Sequence, residues 1–170
     1  YVESVSGLPV RILDTRKTAP GLRLLDKYAV RVGGGQNHRL HLGDGILIKD
    51  NHWQALKASG ITLAQAIQQA RLRASPLIKV EVEVTSLLQA SQALAAGADS
   101  LLLDNMSLGE MRQVVAEVKG RVPTEASGGV SLQNVRAVAE TGVDFISLGA
   151  LTHSVVALDL SLEMEAYPSP

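Results

Sequence analysis

The chain has 170 residues, enough for one domain with a substantial core. Hydrophobic residues make up 46% and charged residues 19%, with a formal net charge of -1, so nothing global draws it to nucleic acid or to a membrane surface. It has no cysteine and only 3% aromatics, which excludes thiol nucleophiles, disulfides and thiolate metal centres and argues against base-stacking platforms.

No apolar run approaches a membrane span, and a cytoplasmic location is the expectation. The sequence starts at Tyr1 in what reads as a helix already under way, so a fragment or trimmed chain is expected. Residues 10–14 then read as a strand and 21–33 as a helix, begun near Pro20 and stopped by Gly33-Gly34-Gly35. A strand follows over 45–49. Asn51 is placed to cap a helix over 52–59, and Thr62 another over 63–74. The strongest strand is 78–84. After it come a helix capped by Thr85 or Ser86 and ending near Gly97, strand 100–103, helix 107–119, strand 122–126, helix 131–141 capped by Ser131, and strand 144–148. The tail Tyr167-Pro168-Ser169-Pro170 is expected to fray.

Short aliphatic strands alternating with helices indicate βαβ units and a parallel sheet. From residue 78 the units recur every 20–24 residues, the rhythm of a TIM-like (β/α) barrel. A closed eight-stranded barrel takes about 250 residues. The expectation is therefore a single α/β domain over 1–170, a partial or open barrel of six or seven mostly parallel strands.

In such a fold the strand ends share one face, where the chemistry sits. Ser127-Gly128-Gly129 before a predicted helix, and Gly149-Ala150-Leu151-Thr152-His153-Ser154 after the next strand, match a phosphate cradle built by the last two loops of a barrel. Glu83 and Asp104 end neighbouring strands. Two carboxylates there suit a sugar diol, Mg²⁺, or a developing cation. Glu81 shares the face of Glu83, which lies nearer the mouth, and Asn105 adds a polar group beside Asp104. Arg16, Lys17, His38, Arg39 and Lys49 flank apolar runs or glycine turns and together suit a ligand with several negative charges. Arg23, Lys27 and Arg31, at i, i+4, i+8, read instead as a solvated helix face. His41 and His52 read as ordinary polar positions, and His38 with His41 lacks a third metal ligand. Lys49 is also the candidate for a Schiff-base nucleophile, which makes an aldolase one alternative; a barrel serving only as a binding module is another.

The blocks Asp14-Thr15-Arg16-Lys17-Thr18, Gly33-Gly34-Gly35 with Asn37-His38-Arg39, Ile46 to His52, Val82-Glu83-Val84, Leu103-Asp104-Asn105-Met106, Glu125 to Gly129 and Gly149 to Ser154 run in order over residues 10–165. In this they resemble quinolinate phosphoribosyltransferase, the decarboxylating nicotinate-nucleotide pyrophosphorylase. The resemblance implies an N-terminal α/β sandwich followed by an open barrel, of which this chain would be the barrel alone. It implies a pentosyltransferase that joins quinolinate to phosphoribosyl pyrophosphate with Mg²⁺, giving nicotinate mononucleotide, pyrophosphate and CO₂ for NAD biosynthesis. Arg16, His38, Arg39 and Lys49 would hold the quinolinate carboxylates, and Lys17 would reach between base and pyrophosphate. Glu83 and Asp104 would hold the ribose hydroxyls and the metal, and Ser127, Gly128, Gly149 and His153 the 5′-phosphate. Lys17, Lys49, Glu83 and Asp104 would carry catalysis. The full-length protein would be a homodimer or larger, in which a second subunit's sandwich domain covers the mouth and donates an arginine. The isolated chain is therefore expected to bind and turn over weakly. A paralogue on the same scaffold, such as nicotinate phosphoribosyltransferase, is the nearest rival.

Overall fold

A computed structural model describes residues 1–165; the Tyr167–Pro170 tail lies outside them. Six strands form one all-parallel sheet: β1 (Arg11–Leu13), β2 (Ile46–Ile48), β3 (Val80–Val84), β4 (Ser100–Asp104), β5 (Thr124–Ser127) and β6 (Phe145–Ser147). Their order is β1-β6-β5-β4-β3-β2. The sheet curls far enough for residues of β2 to β6 and of the loop after β1 to border one cavity. The two edge strands do not pair with each other. Gln36 bridges to Leu13 on the β1 side of this seam, and the segment from Gln36 to Gly45 follows it. The expected open barrel is thus confirmed, with six strands.

Side chains alternate along each strand. Val80, Val82, Val84, Leu101, Leu103, Ala126 and Ile146 face outward and are at most 1% exposed, packed beneath the helices. Burying each of the larger ones stabilises the fold by about 1.5–3 kcal/mol. Their inward neighbours are Glu81, Glu83, Ser100, Leu102, Glu125 and Ser147. A polar lumen inside an apolar shell is costly to build, and it marks the lumen as the working part.

The helices are α1 (Arg23–Val32), α2 (Asp50–Ala58), α3 (Leu63–Arg73), α4 (Leu87–Ala95), α5 (Leu108–Val118), α6 (Val135–Ala139) and α7 (Ala150–His153). Thr62 accepts from the Gln65 amide and Ser86 from that of Gln89, as expected, and Ser107 accepts from that of Glu110 as a further cap. Three expectations fail. Asn51 is not the cap of α2: Lys49 is, and the Asn51 amide donates to Asp50 Oδ1 at 2.6 Å. Ser131 does not start α6, because Asn134 captures the Ser131 amide (2.8 Å) and donates to the Gly129 carbonyl (3.0 Å), closing a polar turn in place of the first helical turns. The opening residues make only a 3₁₀ turn over Glu3–Val5.

Beyond His153, residues Val156, Leu158, Leu160, Leu162 and Met164 alternate with polar or small ones. They are 80–89% exposed, and the segment pairs with no strand among the described residues.

Candidate active site

The C-terminal strand ends surround a pocket of ≈160 Å³ lined by Arg16, Lys17, His38, Arg39, Lys49, Glu83, Asp104 and Ser127, together with Thr15, Leu47, Leu102, Glu125 and Ser147. The first eight of these, expected to converge from six separate segments of the chain, do so. Gly128, Gly149 and His153 are not part of its lining; Gly128 follows Ser127 directly, and Gly149 and His153 come after β6.

Lys49 is placed by the entry to α2. Its amide donates to His52 Nδ1 (3.0 Å) and its carbonyl accepts from the Trp53 amide, so His52 shapes the turn. The Lys49 ammonium lies 3.7 Å from Glu83, with its side chain about half exposed (49%). A Schiff-base lysine is typically desolvated, whereas the Lys49 side chain is half in solvent and its ion pair is with a carboxylate. Glu83 itself is buried and accepts the Asp50 amide at 3.3 Å.

The loop carrying Arg16 and Lys17 is braced by Arg23, which donates to Thr18 Oγ1 (3.2 Å) and to the Arg16 carbonyl (3.3 Å). It is tied to α7 by Thr152 Oγ1, which donates to the Lys17 carbonyl at 2.7 Å. Two of the three residues read as a solvated helix face are therefore structural. Arg23 braces this loop, and Lys27 is only 3% exposed. Lys27 Nζ lies 2.5 Å from Asp14 Oδ1. Asp14, fully buried, also accepts the His38 amide (2.7 Å) and Asn37 Nδ2 (2.7 Å). The hub Asp14–Lys27 thus anchors the segment that carries His38 and Arg39.

His38 points down the lumen. Its Nε2 lies 3.1 Å from Glu125 Oε2 and 3.4 Å from Glu81 Oε2. Burial opposes a charge on the ring, but hydrogen bonds to Glu125 and Glu81, and their charges, outweigh it and raise the pKa from 6.5 to about 9. The Arg39 amide, donating to His38 Nδ1 at 2.7 Å, opposes that second proton. Burial pushes the Glu125 carboxyl up, against the hydrogen bond from His38. Arg39 is lowered by burial and then by the nearby charge of Arg16, a sign that the two guanidinium groups share one region. His41 turns away to Asp44 (3.1 Å) and does not join His38.

On the opposite rim, Asp104 pairs in register with Ser127, and the Asn105 amide donates to the Ser127 carbonyl at 2.9 Å. Asn105, held at φ +52°, also donates from Nδ2 to Asp104 at 2.9 Å. Its side chain covers Gly128, whose φ is +85° and where a Cβ would meet Asn105 Oδ1 at 2.3 Å. The expected helix N-terminus is not here, since α6 begins only at Val135; what remains of the cradle is its glycine backbone. Gly149 is likewise covered by the His153 ring, 2.4 Å from an added Cβ. Gly128→Ala should displace Asn105 and cost about 1–3 kcal/mol, read in urea denaturation. An unchanged midpoint would contradict this close packing.

Glu125 and Ser147 are site residues the sequence reading passed over. The period-2 argument that placed Glu81 beneath Glu83 also places Glu125 beneath Ser127, so the signal was present. Asp14 gave none, because its partner is thirteen residues away on a helix.

The chain is 47% identical over 155 residues to the probable nicotinate-nucleotide pyrophosphorylase [carboxylating] of Bacillus subtilis, covering 91% of this chain and 52% of that one. It is 48% identical over 167 residues to the nicotinate-nucleotide pyrophosphorylase [carboxylating] of Mycobacterium leprae, covering 96% and 57%. The solved nicotinate-nucleotide pyrophosphorylase of Francisella tularensis superposes with a TM-score of 0.87 at 46% identity, over 94% of this chain and 55% of that one. The chain therefore spans about half the length of the relatives it matches. The family model described as quinolinate phosphoribosyl transferase, C-terminal domain, matches residues 1–163, and with a cationic and acidic strand-end pocket on an open barrel, the chain belongs to that family.

Proposed function

We propose that the pocket transfers the phosphoribosyl group of phosphoribosyl pyrophosphate to quinolinate, with decarboxylation, giving nicotinate mononucleotide, pyrophosphate and CO₂. The observation that carries this reading is the convergence of Arg16, Lys17, Arg39 and Lys49 with Glu83, Asp104 and Ser127 on one rim. The relatives' names supply the reaction type. In this reading Arg16, Arg39 and Lys49 hold the two carboxylates and set the ring nitrogen against the anomeric carbon. The C–O bond to pyrophosphate breaks as the C–N bond forms. Glu83 and Asp104 face the positive charge that develops on the ribose, and Lys17 neutralises the departing pyrophosphate. The adjacent carboxylate departs as CO₂ and leaves its bonding pair on the ring carbon, where the neighbouring cationic nitrogen stabilises it as an ylide until a proton takes that pair.

Mg²⁺ belongs to the same proposal. Glu83 and Asp104 offer hard oxygen donors, few enough that water and phosphate oxygens would complete the shell. They fit the ion, which when bound supplies charge to the diphosphate. An assembly of two or more copies and a cytoplasmic setting are also part of the reading; no described helix is long and apolar enough to cross a membrane.

Calorimetric titration tests the reading. Quinolinate should bind at least about tenfold more tightly than nicotinate, since each charge-assisted hydrogen bond contributes about 1.5–3 kcal/mol. Equal affinity for the two would leave the second set of cations without a purpose and would favour a monocarboxylate substrate. Borohydride reduction with a carbonyl compound should leave Lys49 unmodified; a stable adduct would favour the aldolase.

A further inference from the structure

Below the pocket, a wider cavity of ≈470 Å³ opens toward the N-terminal strand ends, and His38, Arg39 and Glu125 border both spaces. These three residues form the partition between the lumen's two halves. The family resemblance would have His38 grip a ligand carboxylate, but its ring nitrogens are already engaged. Nε2 faces Glu125 at 3.1 Å and Glu81 at 3.4 Å. Nδ1 accepts the Arg39 amide at 2.7 Å. Arg39 behaves differently. Its Nη1 donates to the Gly45 carbonyl at 3.1 Å, and its Nε is buried without a partner among the described residues. A buried donor with nothing to donate to is costly; at the wall of an anion pocket it is a donor waiting for a ligand.

We infer that Glu125, assisted by Glu81, is a positioning residue that acts through His38 on Arg39: the carboxylates fix the imidazole, and the imidazole fixes the Arg39 backbone so that its guanidinium faces the ligand's carboxylate. This rests on the quinolinate reading for its ligand but not for its geometry. The charged and titratable groups around His38 are Glu81 on β3, Glu125 on β5, Arg39 beside it, and the Asp14–Lys27 pair, which accepts its amide and donates to its carbonyl (3.4 Å). The carboxylates draw a second proton to the ring, but the Arg39 amide donating to Nδ1 at 2.7 Å requires that nitrogen to be unprotonated; the relay belongs to the neutral ring, with Nε2–H toward Glu125.

The test is a double-mutant cycle on Glu125→Leu and Arg39→Ala, read as quinolinate affinity, with Glu125→Gln as the conservative variant. Glu125→Leu should raise Kd about tenfold, the lower end for losing one charged hydrogen bond. Glu125→Gln keeps an acceptor for Nε2–H and should stay within about threefold of wild type. In the Arg39→Ala background, Glu125→Leu should have little further effect, because residues acting as one unit are not additive. Additive losses, or a Gln variant as weak as Leu, would overturn the inference.

A second readout needs no ligand. The Arg39 amide and His38 ring ¹⁵N resonances should shift in Glu125→Leu and return in Glu125→Gln. If quinolinate fails to bind wild type while these shifts appear, the functional reading falls and the relay stands; if the resonances do not respond, the relay falls. Because His38, Glu81 and Glu125 present donor atoms within 4.8 Å of one another, Zn²⁺ should be added as well. Stoichiometric capture at neutral pH, lost in Glu125→Gln, would identify a metal site and overturn the relay.

Discussion

Asp14→Ala should destabilise the domain by about 3–5 kcal/mol, the cost of removing one partner of a buried ion pair. Lys27 and Asp14 have side-chain exposures of 4% and 0%, so no water replaces the lost carboxylate. The same oxygen atoms hold the His38 amide and the Asn37 side chain, so the segment carrying His38 and Arg39 should loosen as well. Urea denaturation measures the first effect and quinolinate affinity the second. Glu140→Ala is the control: its pair with Arg136 is about half exposed (51% and 52%), and exposed pairs contribute less than about 1 kcal/mol. If the two variants lose similar stability, the buried pair is not the anchor described above.

Lys49→Ala should weaken quinolinate binding by about 10- to 100-fold, the range for a hydrogen bond to a charged group, with little change in stability. The stability expectation follows from geometry. The side chain is half exposed, and its contact with Glu83 is loose at 3.7 Å, whereas the backbone turn at this position is held by His52 and Trp53. Lys49→Arg should recover part of the affinity, because the charge returns but on a longer, planar group. Calorimetry with quinolinate and with nicotinate separates the outcomes. A loss no larger for quinolinate than for nicotinate would remove Lys49 from the recognition of the second carboxylate.

The barrel could be read from the sequence because buried parallel strands must be aliphatic, and because chain order in a parallel sheet sends every strand end to one face. Lys49, Glu83, Asp104 and Ser127 follow apolar runs and so were placed together correctly. Where a distant partner decides, the local pattern points the wrong way. On α1 the apolar residues Leu24, Leu25, Tyr28 and Val32 are 64–72% exposed, while Lys27 is buried. A pattern of hydrophobicity alone faces that helix the other way; the carboxylate of Asp14 overrides it. The start of α6 failed for a local version of the same reason, since the Asn134 side chain competes with the backbone for its own hydrogen bonds.

By itself, the order of residues determined the α/β class, an incomplete barrel of six or seven parallel strands and the set of charges at the strand ends, because periodicity and strand direction are local properties. Only the tertiary structure decided that the count is six and the gap falls between β1 and β2, that Asp14 and Lys27 meet in the interior, and that Glu125 reaches His38. Those contacts join residues far apart in the chain, and their energies depend on burial, which no short stretch of sequence specifies.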